Sequence, residues 1–188
     1  GQFNLEFSAR GWELPFAYPA KFEYLSMRGQ ANLTGLEISD VRGEVYGGMV
    51  SGKGRLDWQD RWILTGEYSI KSAQAEPFIK LFSSTTYSTG RLSSNGSFRF
   101  EADHYKDLFA LPQIQGTIAV MNGRIHNMDL VAPLKSQNPQ MLSRGGQTEF
   151  NLLTGKLLLA KDLTQLSALK LDGGKLRISG EIRVRDAA

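Results

Sequence analysis

Hydrophobic and polar residues alternate along most of this chain. In Lys175–Arg185, Leu176, Ile178, Ile182 and Val184 fall on one side of an extended backbone, with Lys175, Arg177, Glu181, Arg183 and Arg185 on the other. Near the start, Phe3, Leu5, Phe7 and Ala9 alternate with Asn4, Glu6 and Ser8 in the same way. Such segments recur between glycine-bearing turns, and they predict hairpins of strands with one apolar and one hydrated face. The apolar face of such a sheet must be hidden, either against a second layer or against a lipid.

Gly11 to Pro19 contains two prolines and reads as loop or sheet edge. Phe22 to Ile38 alternates imperfectly, with Gly29 and Gly35 as breaks or bulges. Val41–Tyr46 predicts a strand that turns at Gly47-Gly48 and returns over Met49–Trp58. Trp62, Leu64, Tyr68 and Ile70 share one face of the next strand. The period then changes. Pro77 suits a first helical turn, and Phe78, Leu81 and Phe82 have helical spacing, so Ala75–Phe82 predicts a short helix lying on the sheet. After Gly90 a strand runs through Leu92, Phe98 and Phe100, and Tyr105–Leu111 predicts a second short helix.

Ile114, Ile118 and Val120 lead to Asn122-Gly123, a strong hairpin-turn signal because both turn residues need positive φ. Pro133 to Gly146 is polar and irregular, with a turn of helix at Pro139–Leu142. The remainder reads as meander: Gln147–Leu153, a turn at Thr154-Gly155, Lys156–Ala160, Leu163–Leu171, a turn at Asp172-Gly173-Gly174, and the last strand. No βαβ spacing occurs. The fold class is mainly β: one or more curved antiparallel sheets of hairpins, with two or three short helices packed on one side. A single domain over 1–188 is expected, with 1–103 and 104–188 as its possible sub-units.

Composition narrows the function. Lys and Arg number 22 against 19 Asp and Glu, interspersed, for a net charge of +3. No basic block suited to nucleic acid is present. The absence of cysteine excludes a disulfide framework, a thiol nucleophile and a cysteine-ligated metal. No apolar run approaches the length of a membrane helix. The chain opens mid-pattern at Gly1-Gln2-Phe3 with no initiator Met or signal peptide, so it reads as a piece of a longer protein whose anchor lies outside it.

Candidate chemistry is sparse. Gly47–Gly54 comes within one residue of a phosphate-binding loop, but Gly54 stands where a magnesium-holding hydroxyl is needed, and alternation continues where a helix should open. A hairpin turn is the better reading. His104 and His126 have no second histidine or cysteine at ligand spacing, and His126 reads as solvated. No G-x-S-x-G elbow exists. Asp57/Asp60 and Glu101/Asp103 are close carboxylate pairs that solvated charge accounts for. Asn32-Leu33-Thr34 and Asn95-Gly96-Ser97 match a glycosylation sequon, a pattern short enough to arise by chance. The aromatics Trp12, Phe16, Tyr18, Phe22 and Tyr24, with Trp58 and Trp62, admit base stacking, sheet–helix packing or acyl-chain contact. Basic residues are not concentrated around them, which weighs against the first. No cofactor or metal is expected.

Three stretches carry a family resemblance. One is Leu64–Phe82 with Gly90–Phe98, a strand, a short helix and a strand. The second is Ile114–Leu130, with its glycine–hydrophobic, Asn-Gly and Asp129-Leu130 spacing. The third runs from Thr148-Glu149-Phe150 to the close at Gly180. Spanning most of 36 to 185, they resemble the AsmA family of bacterial envelope proteins, particularly the AsmA-like C-terminal region. The polar insert Lys135–Gly145 departs from that pattern. The resemblance implies a non-enzymatic periplasmic region of an inner-membrane-anchored protein, linked to outer-membrane homeostasis, in a family whose larger members look like bridges carrying phospholipid tails along an apolar groove.

The apolar face that would carry such a role comprises Phe3, Leu5, Phe7, Trp62, Leu64, Tyr68, Ile118, Val120, Ile178, Ile182 and Val184, chosen by facing direction. The expected partners are phospholipid, other domains of the same chain, or envelope proteins that pair with open sheet edges.

Overall fold

The computed structural model describes residues 1–14, 20–80, 87–129, 143–160, 163–174 and 177–185. Among the described residues, ten strands form one antiparallel sheet in which spatial order follows chain order. They are β1 (Phe3–Leu14), β2 (Ala20–Ala31), β3 (Gly35–Val45), β4 (Gly48–Asp57), β5 (Trp62–Gln74), β6 (Tyr87–Ala102), β7 (Gln113–Asp129), β8 (Ser143–Ala160), β9 (Leu163–Asp172) and β10 (Arg177–Arg185). The sheet is not closed: β1 and β10 are its two edges.

The period-two pattern has a direct consequence in the register. Phe7, Met27, Val41, Gly52, Tyr68, Gly96, Gly116, Leu157, Leu166 and Ile182 are successive pairing partners across all ten strands. One face therefore continues from edge to edge. Where the sequence breaks alternation, a bulge restores the phase. β3 carries an extra residue between Ile38 and Val41 relative to both neighbours. β5 carries one at Ser72 (φ 55°), β7 one at Asn122 (φ 49°) and β9 one at Ala168 (φ 49°). Ile38 and Val41, three apart, thus both face the apolar side, as do Ile70 and Ala73.

These bulges correct several sequence expectations. Asn122-Gly123 is not a hairpin turn but lies inside β7. The positive φ read from the Asn-Gly pair exists at Asn122 and serves a bulge instead. Thr154-Gly155 is likewise interior to β8. Phe22–Ile38 is two strands, parted where the Asn32 side chain accepts hydrogen bonds from the Thr34 and Gly35 backbone N–H groups at 2.8 and 3.0 Å. β1 runs on through Gly11 (φ 58°) to Leu14. The turn between β3 and β4 does form, with Tyr46 and Gly47 both at positive φ (50° and 67°).

Helix is scarcer than expected. Among the described residues there is one α-helix, α1 (Ala75–Lys80), and one 3-10 turn at Tyr105–Asp107 in place of the second helix. Leu81 and Phe82, the turn of helix expected at Pro139–Leu142, and the aromatics Phe16 and Tyr18 lie outside the described residues.

The core forms where these short pieces meet the sheet. Ala75, Phe78 and Ile79 of α1 pack against Leu92, Val120, Phe150 and Leu171. Phe78 also packs on the cluster of Phe22, Leu25 and Val45, and meets the Tyr46 ring edge-on at 5.1 Å. At the opposite ends of the strands, buried Leu108 and the Phe109 ring, 5.3 Å from that of Phe100, cover the sheet beside the 3-10 turn. The other face carries exposed cross-strand ion pairs, among them Glu6–Arg28, Glu37–Arg55, Lys53–Glu67 and Arg124–Glu149. Exposed pairs of this kind contribute little stability, but they keep that face hydrated.

Candidate functional site

The pairing register puts Phe3, Leu5, Phe7, Trp62, Leu64, Tyr68, Ile118 and Val120 on the same face, and its rows run on to the backbone positions of Ile178, Ile182 and Val184. Their surroundings divide them. Val120 is buried under the α1 cluster, and Ile118 packs against its border. Trp62 and Leu64 are half-buried. The Trp62 ring lies between those of Trp58 and Tyr105, with centroids 5.9 Å from each. Tyr68 is half-buried, and its hydroxyl is 3.1 Å from Ser94 Oγ. Burial pushes the Tyr68 phenol pKa up, and the Ser94 hydrogen bond partly offsets that rise. These five belong to the packed interior of the sheet. Ile178, Ile182 and Val184 pair with Leu171, Leu166 and Thr164.

Phe3, Leu5 and Phe7 differ from the rest. They are 66%, 44% and 40% exposed, and Trp12 farther along β1 is 39% exposed. Trp12 meets the Phe7 ring at 5.6 Å in an edge-on geometry. One strand inward their row-mates are less exposed: Phe22, the partner of Trp12, is 9% exposed, Gly29 is buried, and Met27 and Ala31 are half-buried. Among the described residues the apolar face is most exposed along β1, at Phe3, Leu5, Phe7 and Trp12. Sequence reasoning grouped Phe3, Leu5 and Phe7 with the core positions. It did not assign Trp12 to this strip, since Gly11 interrupts the alternation.

The remaining chemical candidates are placed as follows. Gly47–Gly54 is the turn and first half of β4, with no helix following. Glu101 and Asp103 both bind the Arg61 guanidinium, and Arg99 also holds Glu101 at 2.6 Å. Those contacts hold the Glu101 carboxyl below the usual carboxylate range. Asp57 pairs with Arg55 at 2.7 Å. His126 is half-buried rather than solvated, its ring 4.7 Å from that of Tyr87. Among the described residues no group of histidine and carboxylate side chains could hold a metal ion, and no helix is long and apolar enough to cross a membrane.

Two hollows, of about 670 and 730 Å³, open on the hydrophilic face over β5–β9. Side chains from five strands assemble them, so no local motif announces them.

No protein-family model, no curated protein and no solved structure matches this chain.

Proposed function

We propose that this chain is a non-enzymatic module of an AsmA-like, inner-membrane-anchored periplasmic protein that serves outer-membrane homeostasis by contacting phospholipid along a curved apolar sheet face. The observation that carries the reading is the exposed end of that face, the Phe3–Leu5–Phe7–Trp12 strip of β1. Acyl chains would lie along this strip rather than over Val120, which the protein covers itself. Phe3 to Trp12 spans about 30 Å of strand at 3.4 Å per residue. That is about twice the depth of one leaflet's tails, since a hydrocarbon core of about 30 Å is shared by two leaflets. Each tail CH₂ removed from water adds about 0.8 kcal/mol, so a modest length of chain suffices for binding.

A second reading is favoured by one further observation. Among the described residues β1 pairs with β2 alone and β10 with β9 alone. Either edge could accept a strand from another domain or an envelope partner, and a strand added at β1 would also cover the apolar strip.

Native mass spectrometry after gentle purification, with lipid extraction, separates the two. Stoichiometric phospholipid that is lost in a Leu5→Ser/Phe7→Ser variant supports lipid contact. A lipid-free mass that self-associates with concentration supports edge pairing. A lipid-free monomer that takes up no added lipid contradicts both.

A further inference from the structure

The hydrophilic face is not uniform. Over β5–β9 it dips into the shallow, largely open hollow of about 670 Å³. Its base is formed by two cross-strand rows, one running through Asn95, Thr117 and Lys156, the other through Ala119, Thr154 and Lys170. Two of the bulges stand at its sides, Ser72 on β5 and Ala168 on β9, both at positive φ. A bulge bends its strand and sharpens the local twist, so a pair of them on either side dishes the sheet between. Positive φ costs a residue with a Cβ about 1–2 kcal/mol. The fold holds Ser72 there with a 3.2 Å hydrogen bond from its backbone N–H to Ser93 Oγ, and with Arg91 donating to its carbonyl at 3.1 Å.

The charge of the hollow differs from that of its surroundings. Elsewhere on this face cations meet carboxylates across strands: Lys53 with Glu67, Arg55 with Glu37, Arg124 with Glu149. Lys71, Lys156 and Lys170 line the hollow, and no carboxylate does. Among the described residues none of the three is in an ion pair. Lys170 pairs with Thr154, two residues from Lys156, so the two lysines are diagonal neighbours on adjacent strands, about 7–8 Å apart at the backbone. Lys71 faces them from β5, three strand spacings from β8, or roughly 14 Å.

We propose that this hollow binds a phosphate group, clamped between Lys156 and Lys170 with the Thr154 hydroxyl as a further donor and Lys71 closing the far side. Two ammonium groups supply charge-assisted hydrogen bonds to a tetrahedral oxyanion, and a hydroxyl adds a neutral one. No aromatic side chain lines the hollow, so a sugar or base ring would find no stacking surface there. The hollow and the β1 strip lie on opposite faces of the sheet. A lipid whose tails rest on the strip cannot place its own phosphate here, and the inference stands whether or not the lipid reading holds.

The test is an amide-resolved NMR titration of the whole chain at low ionic strength with inorganic phosphate and with glycerol phosphate, alongside sedimentation with vesicles of phosphatidylglycerol or phosphatidylcholine. Saturable shifts at residues 117, 154, 156 and 170, weakened roughly tenfold in a Lys156→Gln/Lys170→Gln variant and unaffected by Lys106→Gln, support the site and assign it to a soluble phosphate. Sedimentation with phosphatidylglycerol vesicles alone, lost in the same double variant, supports it and assigns a headgroup on a membrane surface. Both lysines are exposed, so the variant should keep the parent melting temperature, and a lower one is replaced by the milder Lys156→Gln single change. Absence of both responses, or responses that the lysine changes leave untouched, overturns the proposal.

Discussion

The outer end of the Phe150 ring on β8 lies over Gly123 on β7, its pairing partner, where an added Cβ would clash with the ring's Cζ and Cε atoms. Phe150 is 3% exposed and packed in the α1 cluster, so it has no room to withdraw. Gly123→Ala should therefore destabilise the fold by about 1–3 kcal/mol. In a chain of this length that lowers the melting temperature by several degrees, about 2–4 °C per kcal/mol. The neighbouring Asn122→Gly, which relieves a positive φ of 49°, should be neutral or stabilising. Thermal melts of the two variants check the pair. Equal effects would contradict the bulge geometry.

Phe78 is the side chain that both apolar clusters share, and it reaches them from a helix of six residues. A helix that short is not stable by itself, so α1 depends on what it packs against. Phe78→Ala should cost about 3 kcal/mol and detach α1 from the sheet. Hydrogen exchange should then show faster exchange in 75–80 and in the strands beneath, while β1 keeps its parent rate.

Tyr68 links the packed interior to alkaline pH. Burial holds its phenol neutral, with the pKa raised above the ordinary 10.0. The stability this contributes is intact below pH 10 and is lost as pH rises through the raised value. Tyr68→Phe should flatten that alkaline limb in denaturant titrations. It also removes the hydrogen bond shared with buried Ser94, lowering stability near neutrality by about 1 kcal/mol.

At acid pH the relevant group is Glu101, held below its ordinary value of 4.5 chiefly by the Arg99 hydrogen bond and then by the Arg61 charge. A depressed carboxylate contributes stability above its unfolded pKa and loses it as pH falls through the folded one. Glu101→Gln should leave a shallower acid limb, beginning near the ordinary carboxylate range. An unchanged limb would mean that the Arg61–Glu101–Arg99 cluster does not persist in solution.

Period two made most of the strands and the common apolar face legible, because burying one side of a sheet constrains every second residue. What alternation could not distinguish was a turn from a bulge. Asn122-Gly123 and Thr154-Gly155 carry the small, φ-tolerant residues that either structure uses, and the choice was made by neighbouring strands that continue past them. Asn32-Leu33-Thr34-Gly35 did mark a turn, through an Asn side chain hydrogen-bonding the backbone ahead of it, but its lack of a Gly-Gly or Asn-Gly pair hid it in a longer run. The second helix shrank to Tyr105–Asp107 because tertiary contacts, Tyr105 on Trp62 and Phe109 on Phe100, fix that segment more strongly than helical spacing does. Facing direction was readable for Phe3, Leu5 and Phe7, but coverage was not, since that depends on where α1 and the 3-10 turn come to rest.

The proposed lipid contact falls on the exposed strip of β1, and Trp12 stands in that strip. Replacing Trp58 and Trp62 with Phe leaves Trp12 as the sole tryptophan. Its fluorescence can then be followed with phospholipids brominated along their tails, which quench only on close approach. Lipid contact along β1 predicts strong quenching that Leu5→Ser/Phe7→Ser abolishes. Unquenched Trp12 in the presence of excess brominated lipid would contradict it and leave the open β1 edge to a protein strand.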